Sequence, residues 1–212
     1  MMRLFLYGLS TGLVLQLAVG PVFFFVVGIA MQQSVFHGLA AVAGVTVADY
    51  FYIALSLFGV GRLLERPRVK NIMRVLSACI IIFFGLLMIY AALRTVQGGA
   101  SPTDRTGRIF ACFIAAMMLT LSSPLTILFW TGLFSAKAME HDYNRRQLLV
   151  FGYSAGLSTV LFLGTAVIAV SLIKQGLPTG MLHLLNLPVG VILIINGILR
   201  LVNGRTKRAV HL

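Results

Sequence analysis

The sequence predicts an all-α integral membrane protein: six transmembrane helices built as two inverted three-helix repeats, helices 1 and 4 interrupted at Gly-Pro and Ser-Pro. Three observations carry this. Of 212 residues, 59% are hydrophobic and 10% charged. Soluble domains carry about 25% charged residues, so this chain has too little polar side chain to cover a water-exposed globule. The apolar residues gather in six runs, and the basic residues gather between those runs on alternate sides.

The runs lie near 4–30, 38–61, 72–93, 109–136, 147–173 and 181–202. Each meets or exceeds the roughly 20 residues that a membrane helix needs. They are separated by Gln32-Gln33-Ser34, by the basic stretch Arg62 to Arg74, by Gln97 to Pro102, by Lys137 to Arg146 and by Lys174 to Gly180. Unpaired backbone groups are not tolerated in lipid, so spans of this length must be helices. The short alternating strands of an outer-membrane barrel are absent from the sequence. Arg3 precedes the first run as it would in a secretion signal. That run continues from Leu4 to Ala30 without a small-x-small cleavage site, so it reads as a retained span. No segment is long enough to separate two domains. Residues 1–212 therefore read as one membrane domain, with repeat one over about 1–96 and repeat two over about 107–205.

Orientation follows from the Lys and Arg positions. With the N-terminus inside, the cytoplasmic segments hold Arg3, then Arg62, Arg66, Arg68, Lys70 and Arg74, then Lys137, Arg145 and Arg146, then Arg200, Arg205, Lys207 and Arg208. The opposite side holds Arg94, Arg105, Arg108 and Lys174. This bias places both termini in the cytoplasm, and a miscounted span would scramble it. It also accounts for the formal net charge of +12 without nucleic acid, because no basic stripe runs along an aromatic-studded helix face.

The two halves echo each other. Ala18-Val19-Gly20-Pro21-Val22 in span one matches Leu121-Ser122-Ser123-Pro124-Leu125 in span four, the prolines being 103 residues apart. Gly44-Val45-Thr46 matches Gly152-Tyr153-Ser154 at an offset of 108, and Phe84-Gly85-Leu86-Leu87 matches Asn196-Gly197-Ile198-Leu199 at 112. Units of three spans must enter the membrane from opposite sides, which is the inverted-repeat plan of secondary transporters. Pro21 and Pro124 lie well inside their spans, where proline lacks an N–H and clashes with the carbonyl four residues back. Leu17 and Thr120 then lose their helical partners unless the helix breaks. Gly20 would supply unusual dihedrals, and Ser122 or Ser123 would cap the helix that proline begins. A half-helix starting at mid-membrane points free N–H groups at the interior and suits a carboxylate. The candidate binding residues are therefore Gly20, Pro21, Val22, Ser122, Ser123 and Pro124, with Gln16 one turn before the first break and Thr120 beside the second.

Asp49 stands near the middle of span two, while the other acids, Glu65, Asp104, Glu140 and Asp142, lie in loops. An intramembrane acid costs about 2.5–3.5 kcal/mol on insertion scales and usually faces a cavity. No Lys or Arg lies at that depth. Its partner is then water, a hydroxyl, a proton or a cationic substrate, and Thr46 and Ser56 share its helical face. Asp49 either holds a substrate ammonium, carries a coupling proton, or is a structural residue bonded to a neighbouring helix. Ser154, Ser158 and Thr165 share a face of span five that, with Gly152 and Gly156, suits close helix packing. Asn196 reads as an interhelical bond, Trp130 as packing or lipid contact, and Cys79 and Cys112 as buried free thiols. His37 and His183 sit near span ends without an evident role. No Cys/His cluster suggests a metal, no nucleophile, base and orienter recur together as in an enzyme, and no cofactor is expected. The Gly-rich faces could make a homodimer or pack the bundle.

Gly20-Pro21, Gly44 with Asp49, and the stretch Leu119-Thr120-Leu121-Ser122-Ser123-Pro124-Leu125-Thr126-Ile127-Leu128-Phe129-Trp130 together resemble the lysine exporter (LysE/RhtB) family. The similarity covers nearly the whole chain. It implies ion-gradient-driven efflux of an amino acid or close relative across a bacterial inner membrane. The chain departs from the family where Val19-Gly20-Pro21 replaces Pro-Gly-Pro and Ser123-Pro124 replaces Asn-Pro, which leaves the solute open. The competing expectation is a divalent-metal or other small-solute exporter of related architecture. A thiol–disulfide carrier fits less well, because no cysteine adjoins either break.

Overall fold

The computed structural model describes residues 1–16, 20–57, 67–96, 105–123, 126, 129–134, 143–174, 188 and 190–199, and among them there are helices and no strands. The helices are α1 (Met2–Gln16), α2 (Pro21–Gln32), α3 (Val35–Leu57), α4 (Pro67–Val96), α5 (Arg105–Leu121) and α6 (Arg145–Ile173), followed by α7 (Gly190–Leu199). Residues 129–134 are also helical. By length and composition, α3 and residues 146–173 of α6 can cross a membrane, and α1 with α2 passes the same test as a pair bent by 82°, the geometry of a broken span or of a re-entrant loop. The apolar parts of α4 (Ala78–Leu87) and α5 (Arg108–Leu121), and α7, are shorter.

Local chemistry sets several of these boundaries. α2 starts where Pro21 occupies its first turn, as a residue with fixed φ and no N–H is suited to do. α6 starts at a capping box, in which the Asn144 side chain accepts from the Gln147 N–H at 3.0 Å and the Asn144 N–H donates to the Gln147 side chain at 2.9 Å. At the other end of α2, the Lys174 ammonium donates to the carbonyls of Ala30 at 2.6 Å and Gln33 at 3.1 Å. It meets carbonyls left over by the last turn, and its positive charge suits the negative end of that helix.

Small residues bring the helices together. Cβ atoms at Gly8 and Gly12 of α1 would collide with Ser154 and Ser158 of α6. The two serine hydroxyls turn back on the carbonyls of Phe151 and Ala155, leaving a smooth seam of the small-xxx-small kind. Contacts advance together along both chains, so α1 and α6 are parallel. α3 makes broad contact with both α5 and α6. It runs parallel to α5, with Gly44 set over the backbone of Phe113 and Met117 and Tyr52 reaching Leu121. It runs antiparallel to α6, with Gly38 against Val167 at one end and Ile53 against Gly152 at the other. α4 and α7 are antiparallel, Gly85 approaching the Gly190 carbonyl and Gly197 the Ala78 carbonyl.

Three expectations are corrected here. Cys79 is exposed rather than buried, while Cys112 is buried. Asn196 donates to the Ile192 carbonyl of its own helix at 3.0 Å instead of bridging to another, the back-bond that short polar side chains make readily. Thr165 is exposed, unlike Ser154 and Ser158, because α1, which covers those serines, ends at Gln16.

Candidate functional site

Asp49 is 5% exposed in the middle of α3, and each of its oxygens takes one donor. The Thr159 hydroxyl of α6 donates to Oδ2 at 2.8 Å, and the Trp130 indole N–H donates to Oδ1 at 3.3 Å. The Gln16 side-chain amide, in the last residue of α1, donates to the Thr159 hydroxyl at 2.6 Å. Close approach of the helices makes this possible. Gly156 lies under the Tyr50 ring and Gly152 lies against Ile53 and Phe134, so a methyl group at either would push α6 from α3. Buried polar groups of this kind require partners, since an unmet carboxylate oxygen is costly away from bulk solvent.

Both helix breaks flank this group. At the first, α1 ends at Gln16 and α2 begins at Pro21, with Gly20 between them in an extended conformation of φ −115° and ψ −177°. Any residue adopts that backbone, so Gly20 does not serve there through unusual dihedrals as expected. The Gly20 carbonyl accepts from the Phe23 N–H at 3.1 Å. At the second break the Ser123 carbonyl accepts from the Thr126 N–H at 3.1 Å, the same three-residue step around proline. Thr120, whose carbonyl the proline was expected to orphan, accepts instead from the Ser123 N–H at 3.0 Å. The Ser122 hydroxyl donates back to Met118 at 2.6 Å, so it closes α5 rather than capping a new helix. The Tyr52 hydroxyl donates to the Leu121 carbonyl, the next one left open. Pro124, Leu125 and Leu17 lie outside the described residues.

The structure therefore gathers Gln16, Asp49 and the flanks of the second break, and adds three residues that the sequence reading had not assigned: Thr159, Trp130 and Tyr52. Trp130 is 3% exposed and packed in an apolar cluster, as one of the two expectations had it, and its indole N–H is in addition bonded to Asp49. Tyr52 lies three residues after Asp49 and could have been read as sharing its face. Thr46 and Ser56, which do share that face, spend their hydroxyls on the carbonyls of Val42 and Tyr52 in their own helix. Thr120 likewise donates to Ala116 at 2.8 Å. Val22 is half-buried against the apolar core, and Gly20 and Pro21 are half-buried too. Among the described residues the hydrogen bonds of Asp49 go to Thr159 and Trp130, not to Ser122 or Ser123.

Chemically, Asp49 is an acceptor held open between donors. An ammonium could displace the longer of its two bonds, that from Trp130, or a proton could occupy one oxygen. Among the described residues no three His, Cys, Asp or Glu side chains gather in a way that would hold a metal ion.

The family model of the LysE type translocator matches residues 13–204. The chain is 30% identical over 164 residues to a putative amino acid efflux protein, YcgF, of Bacillus subtilis (strain 168), covering 74% of each. It is 31% identical over 116 residues to a leucine efflux protein of Salmonella typhimurium (strain LT2). It is 30% identical over 116 residues to one of Klebsiella pneumoniae. In these two cases the match spans about half the length of each relative, 54%. No solved structure matches the chain. The chain belongs to the LysE type translocator family, a family of translocators rather than enzymes, and with its apolar helices it is a multi-pass membrane protein.

Proposed function

We propose that this translocator is a secondary active exporter of an amino acid or closely related small zwitterion across the bacterial cytoplasmic membrane, coupled to an ion gradient. The observation that carries the proposal is Asp49, the only acid within the apolar runs. It is hydrogen-bonded through Thr159 to the end of α1 before the first break and directly to Trp130 after the second. The names of the relatives, amino acid efflux and leucine efflux, support both the solute class and the outward direction.

The architecture proposed is six spans in one membrane domain, as two inverted repeats over about 1–96 and 107–205, with both termini cytoplasmic. Helix directions support it. α1 parallel to α6, α3 parallel to α5, α3 antiparallel to α6 and α4 antiparallel to α7 are the relations that six alternating spans require. Beyond the 82° bend α2 still meets α6, at Phe162 through Phe23 and at Lys174 through Ala30. The pairing of span one with span five mirrors that of span four with span two, as an inverted repeat would have it.

In the mechanism, the solute carboxylate docks at the half-helix N-termini around Gly20-Pro21-Val22 and Ser123-Pro124-Leu125, where the positive end of a helix dipole suits an anion. Asp49 binds the ammonium or exchanges a proton with the aqueous phase, and the two halves rock around it to alternate access. Efflux of labelled amino acids from preloaded proteoliposomes, with and without a proton gradient, tests this. Gradient-dependent efflux of one class is expected. No flux of any amino acid would overturn the reading and direct attention to divalent cations, the alternative cargo for this architecture.

A further inference from the structure

Where α1 and α6 begin, side by side and in the same sense, they stand apart around a cavity of about 680 Å³. Met1, Arg3, Leu4, Tyr7, Tyr143 and Gln147 line it. The glycine seam explains its position. Gly8 and Gly12 draw the two helices together against Ser154 and Ser158. Leu4, one turn before Gly8, is too large to continue that close approach. In the orientation proposed above, with the N-terminus inside, the cavity faces the cytoplasm.

A packed layer separates the cavity from Asp49. Leu4 packs against the cluster of Tyr52, Ile53, Trp130, Phe134, Phe151 and Ala155, none of which is more than 4% exposed. The Tyr7 and Phe151 rings lie 6.1 Å apart, and Phe151 meets Phe134 edge-on at 5.9 Å. Trp130, on the far side of the cluster, bonds Asp49. Along α6 the same order runs Gln147, Phe151, Thr159, about three turns in all. Side chains fill the layer, so a solute arriving from this end reaches Asp49 only after the layer parts. Until then the cavity is the space open to it.

The lining suits a zwitterion. Arg3 carries a guanidinium, whose fork matches a carboxylate, and the tyrosine rings attract an ammonium. The only acid among the described residues is Asp49, beyond the layer, so no described carboxylate occupies Arg3. The volume falls within the range of small-molecule pockets, about 300–1,000 Å³.

We propose that this cavity is an antechamber, in which the solute is captured from the cytoplasm with its carboxylate on Arg3 and from which it passes to Asp49 when the aromatic layer opens. The inference rests on the exporter reading and its orientation, and adds a first binding step to them. An exposed ion pair is a weak one, so Arg3 contributes roughly threefold to fivefold in affinity. Because it acts before the layer opens, it sets the concentration needed and not the turnover.

The test is uptake of labelled amino acids by the full chain in everted membrane vesicles, where the cytoplasmic face is outermost and export is read as uptake. Leucine, alanine, lysine and glutamate are each supplied over a range of concentrations. The α-amide of each, which lacks the carboxylate, serves as competitor. Arg3 is exposed, so Arg3→Gln and Arg3→Lys should keep the native thermal midpoint. Arg3→Gln should raise the KM of the transported amino acid about threefold to fivefold, with the maximal rate and the inhibition by its amide unchanged within about twofold. Arg3→Lys should recover part of the loss. An unchanged KM in Arg3→Gln would overturn the inference and leave the exporter reading intact. Equal weakening of amino acid and amide would overturn it too, since the effect would then not run through the carboxylate. A KM difference that vanishes on reconstitution without phosphatidylglycerol would assign the cavity to a lipid headgroup instead. No uptake of any amino acid by folded native protein would overturn the exporter reading, and the inference with it.

Discussion

The two interrupted spans make the same local turn around proline but are held in different ways. At the second break the restraints lie on the break itself. Tyr52 bonds the Leu121 carbonyl just before it, and Trp130, six residues after Pro124, bonds Asp49, so α3 grips both flanks. At the first break the restraints among the described residues lie on its two arms. The Gly8–Gly12 seam fastens α1 to α6, Gln16 reaches Thr159, and Lys174 fastens the far end of α2. The described contacts thus tie the first span to α6 and the second to α3.

The sharpest way to break this contrast is to lift α1 from α6. In Gly12→Ala the new methyl would meet the Ser158 hydroxyl and stand 2.7 Å from the Ala155 carbonyl oxygen. The cost should be about 2–3 kcal/mol, seen as a lower thermal midpoint in detergent, and efflux should fall because the Gln16–Thr159 bond lengthens. An unchanged midpoint would mean that the seam does not hold the first arm.

Thr159→Val should come next. It removes both the donor to Asp49 and the acceptor for Gln16, and should cost about 1–2 kcal/mol. Transport should drop roughly tenfold, one lost charge-assisted bond being worth about that factor. Thr159→Ser, which keeps the hydroxyl, should recover most of the rate, and a serine variant as poor as valine would point to packing instead. Tyr52→Phe acts on the second break alone. It leaves the Leu121 carbonyl without its donor and should lower stability by about 1 kcal/mol, with less effect on rate than Thr159→Val. The reverse order would mean that the grip on the second break matters more to transport than the Gln16–Thr159–Asp49 link. Lys174→Met should be smallest, about 0.5–1 kcal/mol, because its ammonium is only partly buried. Gly164→Ala is the control, since a Cβ there meets nothing within 4 Å. Its midpoint should stay within roughly 0.5 kcal/mol of the parent.

How much of this was legible in the sequence depended on whether a residue's signal was local. Proline breaks a helix through its own ring and missing N–H, so the first interruption could be placed between Gln16 and Pro21 from the chain alone. Asp49 stood out because a charge inside an apolar run is costly wherever it points. The role of Trp130 was not legible, because an indole in an apolar run has the same pattern whether it faces lipid or a carboxylate. Thr159 was hidden for another reason: its partner is 110 residues away, and only the glycines at 152 and 156 let the two helices come near enough. Thr46 and Ser56 share the face of Asp49 as expected, but their hydroxyls turn to carbonyls of their own helix. Helical periodicity places a hydroxyl on a face but does not say whether it turns to its own carbonyl, which is the cheaper bond in lipid. Gly20 was read for conformational freedom, yet its backbone is extended and ordinary, so the small residue there serves without a positive φ.

The account stands or falls on Asp49 as the group where the two broken spans meet. The most direct measurement is gradient-driven efflux of a labelled amino acid from proteoliposomes, native chain against Asp49→Asn. Asparagine keeps the shape and can still accept from Thr159 or Trp130, so helical content and thermal midpoint should change little. The account predicts that efflux falls by at least about 100-fold, the scale expected when a positioned charge is removed from its working site. Efflux at the native rate by well-folded Asp49→Asn protein would contradict it, leaving Asp49 a structural link between α3 and α6.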